Sequence, residues 1–93
     1  MQEKPIRPSR PVEQRALGRV VRETRARRGL SQMDLGDLAG KHHNYIGALE
    51  RGQINPTLAT ILDVTDALDI TLPELFTLWN LRLVEIVEAE SCT

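Results

Sequence analysis

Three glycines, Gly29, Gly40 and Gly52, cut the middle of this chain into short helical segments, and that punctuation restricts the fold more than any other feature. Ahead of Gly29, the residues Leu17, Val20, Val21 and Thr24 recur at helical spacing. Arg15, Arg19 and Arg22 flank them, so an amphipathic helix is predicted over roughly residues 12–27. Arg27 and Arg28 fall where the negative end of the helix dipole favours cations. Ser31 and Asp34 form a capping-box variant that opens a second helix, with Leu35, Leu38 and Ala39 as its apolar residues and Gly40 as its stop. A short turn leads to a third helix over His43 to Arg51, with Tyr45, Ile46 and Leu49 spaced for one buried face and Gly52 closing it.

The rest of the chain continues in the same idiom. Asn55-Pro56-Thr57 marks a loop and the next cap, and Leu58, Ile61, Leu62, Val64, Thr65 and Leu68 form a fourth helix. Thr71 caps a fifth, with Pro73 in its first turn and Glu74 completing a capping box. From Leu72 onward, Leu75, Phe76, Trp79, Leu83, Ile86 and Val87 continue one helical stripe. Residues 81–88 also partly alternate and are rich in β-branched side chains. Two continuations are therefore open: a helix running towards Glu88, or a helix ending near Asn80 followed by a strand.

Composition narrows the class. Ninety-three residues suffice for one domain, and 3% aromatic content leaves Leu, Val, Ile and Ala to build the core, which favours helices. The single cysteine, Cys92, excludes an internal disulfide framework and a cysteine-based zinc site, and fits a reducing cytoplasm. No run of apolar residues is long enough for a membrane span, and the charged, proline-punctuated start is unlike a signal peptide. A cytoplasmic protein is expected, on the bacterial nucleoid if it binds DNA. Residues 1–11 read as a disordered basic arm carrying Lys4, Arg7 and Arg10. The formal net charge of −1 conceals a split. Residues 1–52 hold 11 basic and 6 acidic side chains, whereas residues 53–93 hold one basic side chain, Arg82, and seven acidic ones. The basic half can meet a polyanion. Residues 31–52 themselves hold only Lys41 and Arg51 against three acids, so charge does not single out the recognition element.

The segment from Gln32 to Gly52 carries the function. Two helices joined by a short glycine-containing turn fit a helix-turn-helix, whose second helix enters the DNA major groove, and equally a plain helical hairpin. At the crossing, position 36 must be tiny, and it is Gly36; Gly40 supplies a left-handed turn residue. The wider pattern decides between the two. Leu17-Gly18, Val21-Arg22, Arg25, Gly29-Leu30-Ser31-Gln32, Leu35, Ala39-Gly40, Tyr45-Ile46, Leu49-Glu50-Arg51-Gly52, Asn55-Pro56-Thr57-Leu58 and Leu72-Pro73-Glu74-Leu75-Phe76 together resemble the Xre/λ-repressor-like (Cro/C1-type) helix-turn-helix family, over roughly residues 14–76. His42 to Gly47 is also similar to the subset that includes controller proteins of restriction–modification systems. Against the usual family pattern, Gly36 replaces Ala as a benign change, Lys41 replaces an apolar residue and must turn to solvent or phosphate, and His42 replaces a Ser or Thr cap.

The resemblance implies an all-α, five-helix domain at residues 12–77 that binds double-stranded operator DNA, usually as a dimer. Residues 78–93 extend past the resemblance, and their apolar Trp79, Leu83, Ile86 and Val87 read as a dimerisation segment, helix or strand, or else fold back on their own domain. Groove chemistry assigns base contacts to the third helix. Asn44 can pair with an adenine edge, Ala48 with a thymine methyl, and His42 and His43 can donate, while Gly47 lets the backbone approach the duplex. Gln32 resembles the family's glutamine that binds phosphate and braces the recognition helix, and Tyr45, Arg51, Gln53 and Asn55 are assigned to phosphates. Arg25 and Glu50 match a family ion pair that braces helices one and three. Arg15, Arg19 and Arg22 share a flank that either touches phosphates or is a solvated face, and the N-terminal arm is either an idle tail or reaches a minor groove, the tail being the favoured reading.

Other chemistry has little to stand on. His42 and His43 are expected to point apart and lack a third ligand, so no metal or cofactor is expected. No phosphate-cradling loop or paired nucleophile and base is present, so no enzyme is expected. Two readings remain: a dimeric transcription regulator on a palindromic operator, or an antitoxin-like module whose C-terminal stripe binds a partner protein while DNA binding serves autoregulation.

Overall fold

The computed structural model describes residues 11–91; Cys92 and residues 1–10 of the expected basic arm lie outside them, and Pro11, read as the arm's last residue, instead opens the first helix. Five helices follow one another: α1 Pro11–Arg27, α2 Gln32–Ala39, α3 His43–Glu50, α4 Leu58–Leu68 and α5 Leu72–Ser91. Among the described residues there is no strand, so the chain beyond Asn80 is helix and α5 is 20 residues long. No helix among them is long and apolar enough to cross a membrane.

Local chemistry sets the ends. Pro11 takes the first turn of α1, where its missing N–H leaves no bond unmade. The Ser31 hydroxyl accepts the Asp34 N–H at 2.9 Å, and the Asp34 carboxylate accepts the Ser31 N–H at 2.9 Å. Thr71 and Glu74 repeat this at α5, at 3.2 and 3.0 Å. In both boxes the hydrogen bonds given by the cap residue's N–H, then by its hydroxyl, hold the carboxylic acid below its ordinary value. The end of α4 departs from the glycine rule: Asp69 takes the left-handed conformation, φ 56°. Aspartate tolerates it, and the Arg28 guanidinium donates to the Asp69 carbonyl at 3.0 Å.

The core gathers Leu17, Val20, Val21, Leu35, Ile46, Leu49, Val64, Leu68 and Leu75 from all five helices. Several apolar residues with helical spacing nonetheless face solvent: Leu38 on α2, Leu58 and Leu62 on α4, and Phe76 on α5. The helices are short, so each contributes only a narrow inward stripe.

Two of the residues expected at a dimer surface pack within their own chain. Ile86 is buried within its own chain, and Trp79 is half-buried against the core. The Trp79 indole N–H donates to the Glu13 carbonyl at 2.9 Å, Arg82 pairs with Glu23 at 2.7 Å, and Arg15 pairs with Glu90 at 2.6 Å. The physical reason is the length of α1. Seventeen residues give α5 an intramolecular surface to lie across, and a contact within one chain forms without the entropy cost of association. Leu83 is partly covered; Val87 stays exposed, with Phe76 and Val84 on neighbouring positions of the same helix face.

Candidate nucleic-acid interface

The α2–α3 crossing is built on missing side chains. Gly40, φ 70°, closes α2 in the left-handed conformation, and the Lys41 N–H returns to the Gly36 carbonyl at 2.8 Å. A Cβ on Gly36 would lie 2.5 Å from the Lys41 carbonyl oxygen and 3.3 Å from the His43 nitrogen. The turn is therefore too tight for the alanine common in the family, and glycine here is a requirement. On the far side of α3, a Cβ on Gly18 would overlap the backbone carbonyls of Leu49 and Glu50. Gly18 brings α1 against the end of α3, a role that periodicity alone does not reveal.

An ion pair locks this packing. Arg25 Nε and Nη2 donate to the two Glu50 carboxylate oxygens at 2.6 and 3.0 Å, and Nη1 donates to the Leu30 carbonyl at 2.8 Å. The Glu50 side chain is 3% exposed and that of Arg25 16%. The Glu50 hydrogen bond raises the Arg25 pKa above its ordinary value, against the opposing effect of burial. Gln32 Nε2 donates to Glu50 at 3.0 Å, joining α2 to the pair. One carboxylate thus ties three helices together.

Above this brace, α3 turns one face to solvent. Asn44 is exposed, and His43 and Ala48 are partly so. His42 stands just ahead of the helix and caps it, its Nδ1 accepting the Asn44 N–H at 3.0 Å. That bond places the ring proton on Nε2, so the outer edge of His42 is a hydrogen-bond donor. The two histidines, expected to point apart, stack with ring centroids 4.3 Å apart. Among the described residues, no group of three or more His, Cys, Asp or Glu side chains is placed to hold a metal ion.

Two residues sit otherwise than expected. Gly47 is buried, because the side chains of Gln32 and Arg51 lie over it; the helix backbone there is covered, not bare. Lys41 turns neither to solvent nor outward, but towards α4, 4.0 Å from Asp63 and 5.9 Å from the Tyr45 ring centre. Tyr45 itself is half-buried against the core. Beyond α3, Arg51 Nε donates to Gln53 Oε1 at 3.1 Å, and Gln53 and Asn55 are exposed. Arg15, Arg19, Arg22, Glu23 and Glu50 line an open depression on the neighbouring flank. Arg19 and Arg22 are exposed there, while Arg15 and Arg25 are engaged in ion pairs.

Two helices crossed at glycine backbones, the second presenting polar side chains on a braced outer face, define a helix-turn-helix unit. A family model described as a helix-turn-helix domain matches residues 16–78. The control protein C.SmaI of Serratia marcescens is 39% identical over 62 residues, which are 67% of this chain and 74% of that protein. The restriction–modification controller protein C.AhdI of Aeromonas hydrophila is 43% identical in sequence, with a TM-score of 0.66 over 68% of this chain and 96% of its own. The controller protein C.Esp1396I, solved as a tetramer with its natural 35 base-pair operator, shares the fold at a TM-score of 0.73 and 19% identity, over 77% of this chain and 95% of that one. The chain belongs to the helix-turn-helix family, as a DNA-binding transcription regulator of the Xre, controller-protein type.

Proposed function

We propose that the chain acts as a homodimer on a palindromic operator, with α3 of each subunit in a major groove. The observation that carries the reading is the outer face of α3. His43, Asn44 and Ala48 lie along that face, Asn44 exposed and the other two partly so, with the His42 donor beside them, on a helix braced by Arg25, Glu50 and Gln32. In this reading Asn44 pairs with an adenine edge, Ala48 meets a thymine methyl, and His42 and His43 donate to base acceptors or phosphate. Gln53 and Asn55 in the following loop, with Arg19 and Arg22 on α1, meet the phosphates. Gln32 serves as the brace, its amide already held by Glu50, with Tyr45 supporting the helix from the core side. The relative C.Esp1396I was solved on operator DNA, which supports the choice of ligand. The dimer surface falls to the exposed stripe of α5, Phe76, Val84 and Val87, in place of Trp79 and Ile86.

Selection of binding sites from random DNA tests this directly. A palindrome with half-sites about one helical turn apart, ~34 Å, is expected. Asn44→Ala should relax preference at one base pair per half-site by ~1–3 kcal/mol. Phe76→Glu and Val87→Glu should shift the protein to monomer in sedimentation and lower operator affinity. Selection that yields no palindrome refutes the reading.

A further inference from the structure

Gly47 stands in the interior of α3, where glycine weakens a helix relative to alanine and where no turn or positive φ calls for it. It is buried, yet what covers it is not the core. A Cβ at this position would lie 3.0 Å from Arg51 Nη1, 3.4 Å from Gln32 Oε1 and 3.6 Å from Gln32 Nε2. The missing side chain leaves a notch on the outer face of α3, and the tip of Arg51 occupies it. Arg51 is held at a second point as well, its Nε donating to Gln53 Oε1 at 3.1 Å. The Gln32 amide borders the same notch. Its Nε2 donates to Glu50, which fixes the wall of the notch beside Arg51.

This seat determines where the charge sits. At 100° per residue, His43, Asn44, Gly47, Ala48 and Arg51 share one face of α3, and Gly47 lies between His43 and Arg51 upon it. Folded back over Gly47, the guanidinium lies over the middle of the helix's length and not at its C-terminal end. With Nε engaged by Gln53 and Nη1 resting against the notch, Nη2 and the remaining N–H of Nη1 form the fork. A planar fork at the centre of a groove-facing helix matches the O6 and N7 acceptors of guanine.

We infer that Arg51 reads a guanine base in each half-site, and that Gly47 is the positioning residue that seats it. The inference rests on α3 being the helix that enters the groove. The ligand is a G·C pair near the centre of the half-site, in place of the phosphate assigned to Arg51 from sequence.

The test compares full-length wild type, Arg51→Lys and Gly47→Ala by site selection, by affinity titration on the selected operator and on scrambled DNA, and by the salt dependence of binding. Arg51→Lys keeps the charge and loses the fork. It should lower operator affinity about 5- to 150-fold and erase the preference for one G·C pair, while scrambled-DNA affinity and the salt slope stay unchanged. Gly47→Ala should lose the same base preference with an undiminished melting temperature, because alanine favours the helix. An Arg51→Lys protein that keeps the wild-type base preference, or an Arg51→Ala protein made alongside that loses affinity equally on all sequences with a smaller salt slope, overturns the inference in favour of a phosphate contact. Wild-type base preference retained in Gly47→Ala overturns the seat. Failure of the wild type to select any operator counts against the groove-binding reading itself and is seen before either variant is compared.

Discussion

Replacing Gly18 with alanine puts the α1–α3 crossing to a quantitative test. The added Cβ would lie 2.5 Å from the Leu49 carbonyl oxygen and nearer still to that of Glu50, where real Cβ contacts stay beyond 3.0 Å. The helices must therefore separate by at least about half an ångström, and the obstructing atoms are backbone that cannot rotate aside. Forcing a methyl into such a site costs roughly 1–3 kcal/mol, while alanine in a helix interior returns up to about 1 kcal/mol relative to glycine. Because all the obstructing atoms are backbone, the cost falls in the upper part of that range, and a net loss of about 1–2 kcal/mol follows. In a domain of this size it lowers the melting temperature by roughly 4–15 °C. Thermal unfolding followed by circular dichroism measures it, with Gly47→Ala as the internal control. The control gains the same helix propensity, but its added methyl meets only side-chain ends. Operator affinity should fall alongside stability in Gly18→Ala, because the displaced atoms belong to the end of α3 and to Glu50. A Gly18→Ala protein as stable as wild type would show that the crossing has slack and would refute the reasoning.

Three further outcomes are expected. Glu50→Gln leaves the largely buried Arg25 guanidinium without its counter-charge and should lower stability by about 2–3 kcal/mol in urea denaturation; unchanged stability would mean that the pair does not brace the fold. Asp34 and Glu74 have folded-state pKa values below their ordinary 3.8 and 4.5, so their capping contribution is present above those values and is lost as pH falls below them. Asp34→Asn with Glu74→Gln should therefore flatten the stability profile in that acid window, and an unaltered acid limb in the double variant would count against the capping boxes. Trp79→Phe removes the bond to the Glu13 carbonyl and should cost about 1–2 kcal/mol without dissociating the dimer; a monomeric Trp79→Phe would return this residue to the subunit interface.

Much of the fold could be read from the chain because its signals are local. Glycine stops, the Ser31–Asp34 and Thr71–Glu74 boxes and the spacing of Leu17, Val20, Val21 and Thr24 each act within a few residues. Other features are not written locally. Asp69 ends α4 in a conformation usually left to glycine, assisted by Arg28, which is 41 residues away in sequence. Spacing marks Trp79 and Ile86 as apolar but does not say which surface they cover; the length of α1 decides that. At the interface, the pairing of Arg25 with Glu50 followed a family pattern. The notch at Gly47 did not, since its cover comes from Gln32, 15 positions earlier, and from Arg51 folding backwards. His42 capped its helix although histidine is not among the preferred capping residues.

The way α1 is held carries a consequence for the operator. One helix, about 25 Å long, abuts the end of α3 at Gly18 and carries α5 through Trp79, Arg82 and Arg15. In a dimer joined through α5, it works as a strut of fixed length between the two-fold axis and the groove. Inserting one base pair between half-sites moves the second by about 3.4 Å and turns it by about 35°. A stiff strut cannot follow that screw motion, so the duplex must absorb it by over- or underwinding. Half-site spacing should then be held as strictly as the bases themselves, with the protein acting as a gauge of helical phase as well as a reader of sequence.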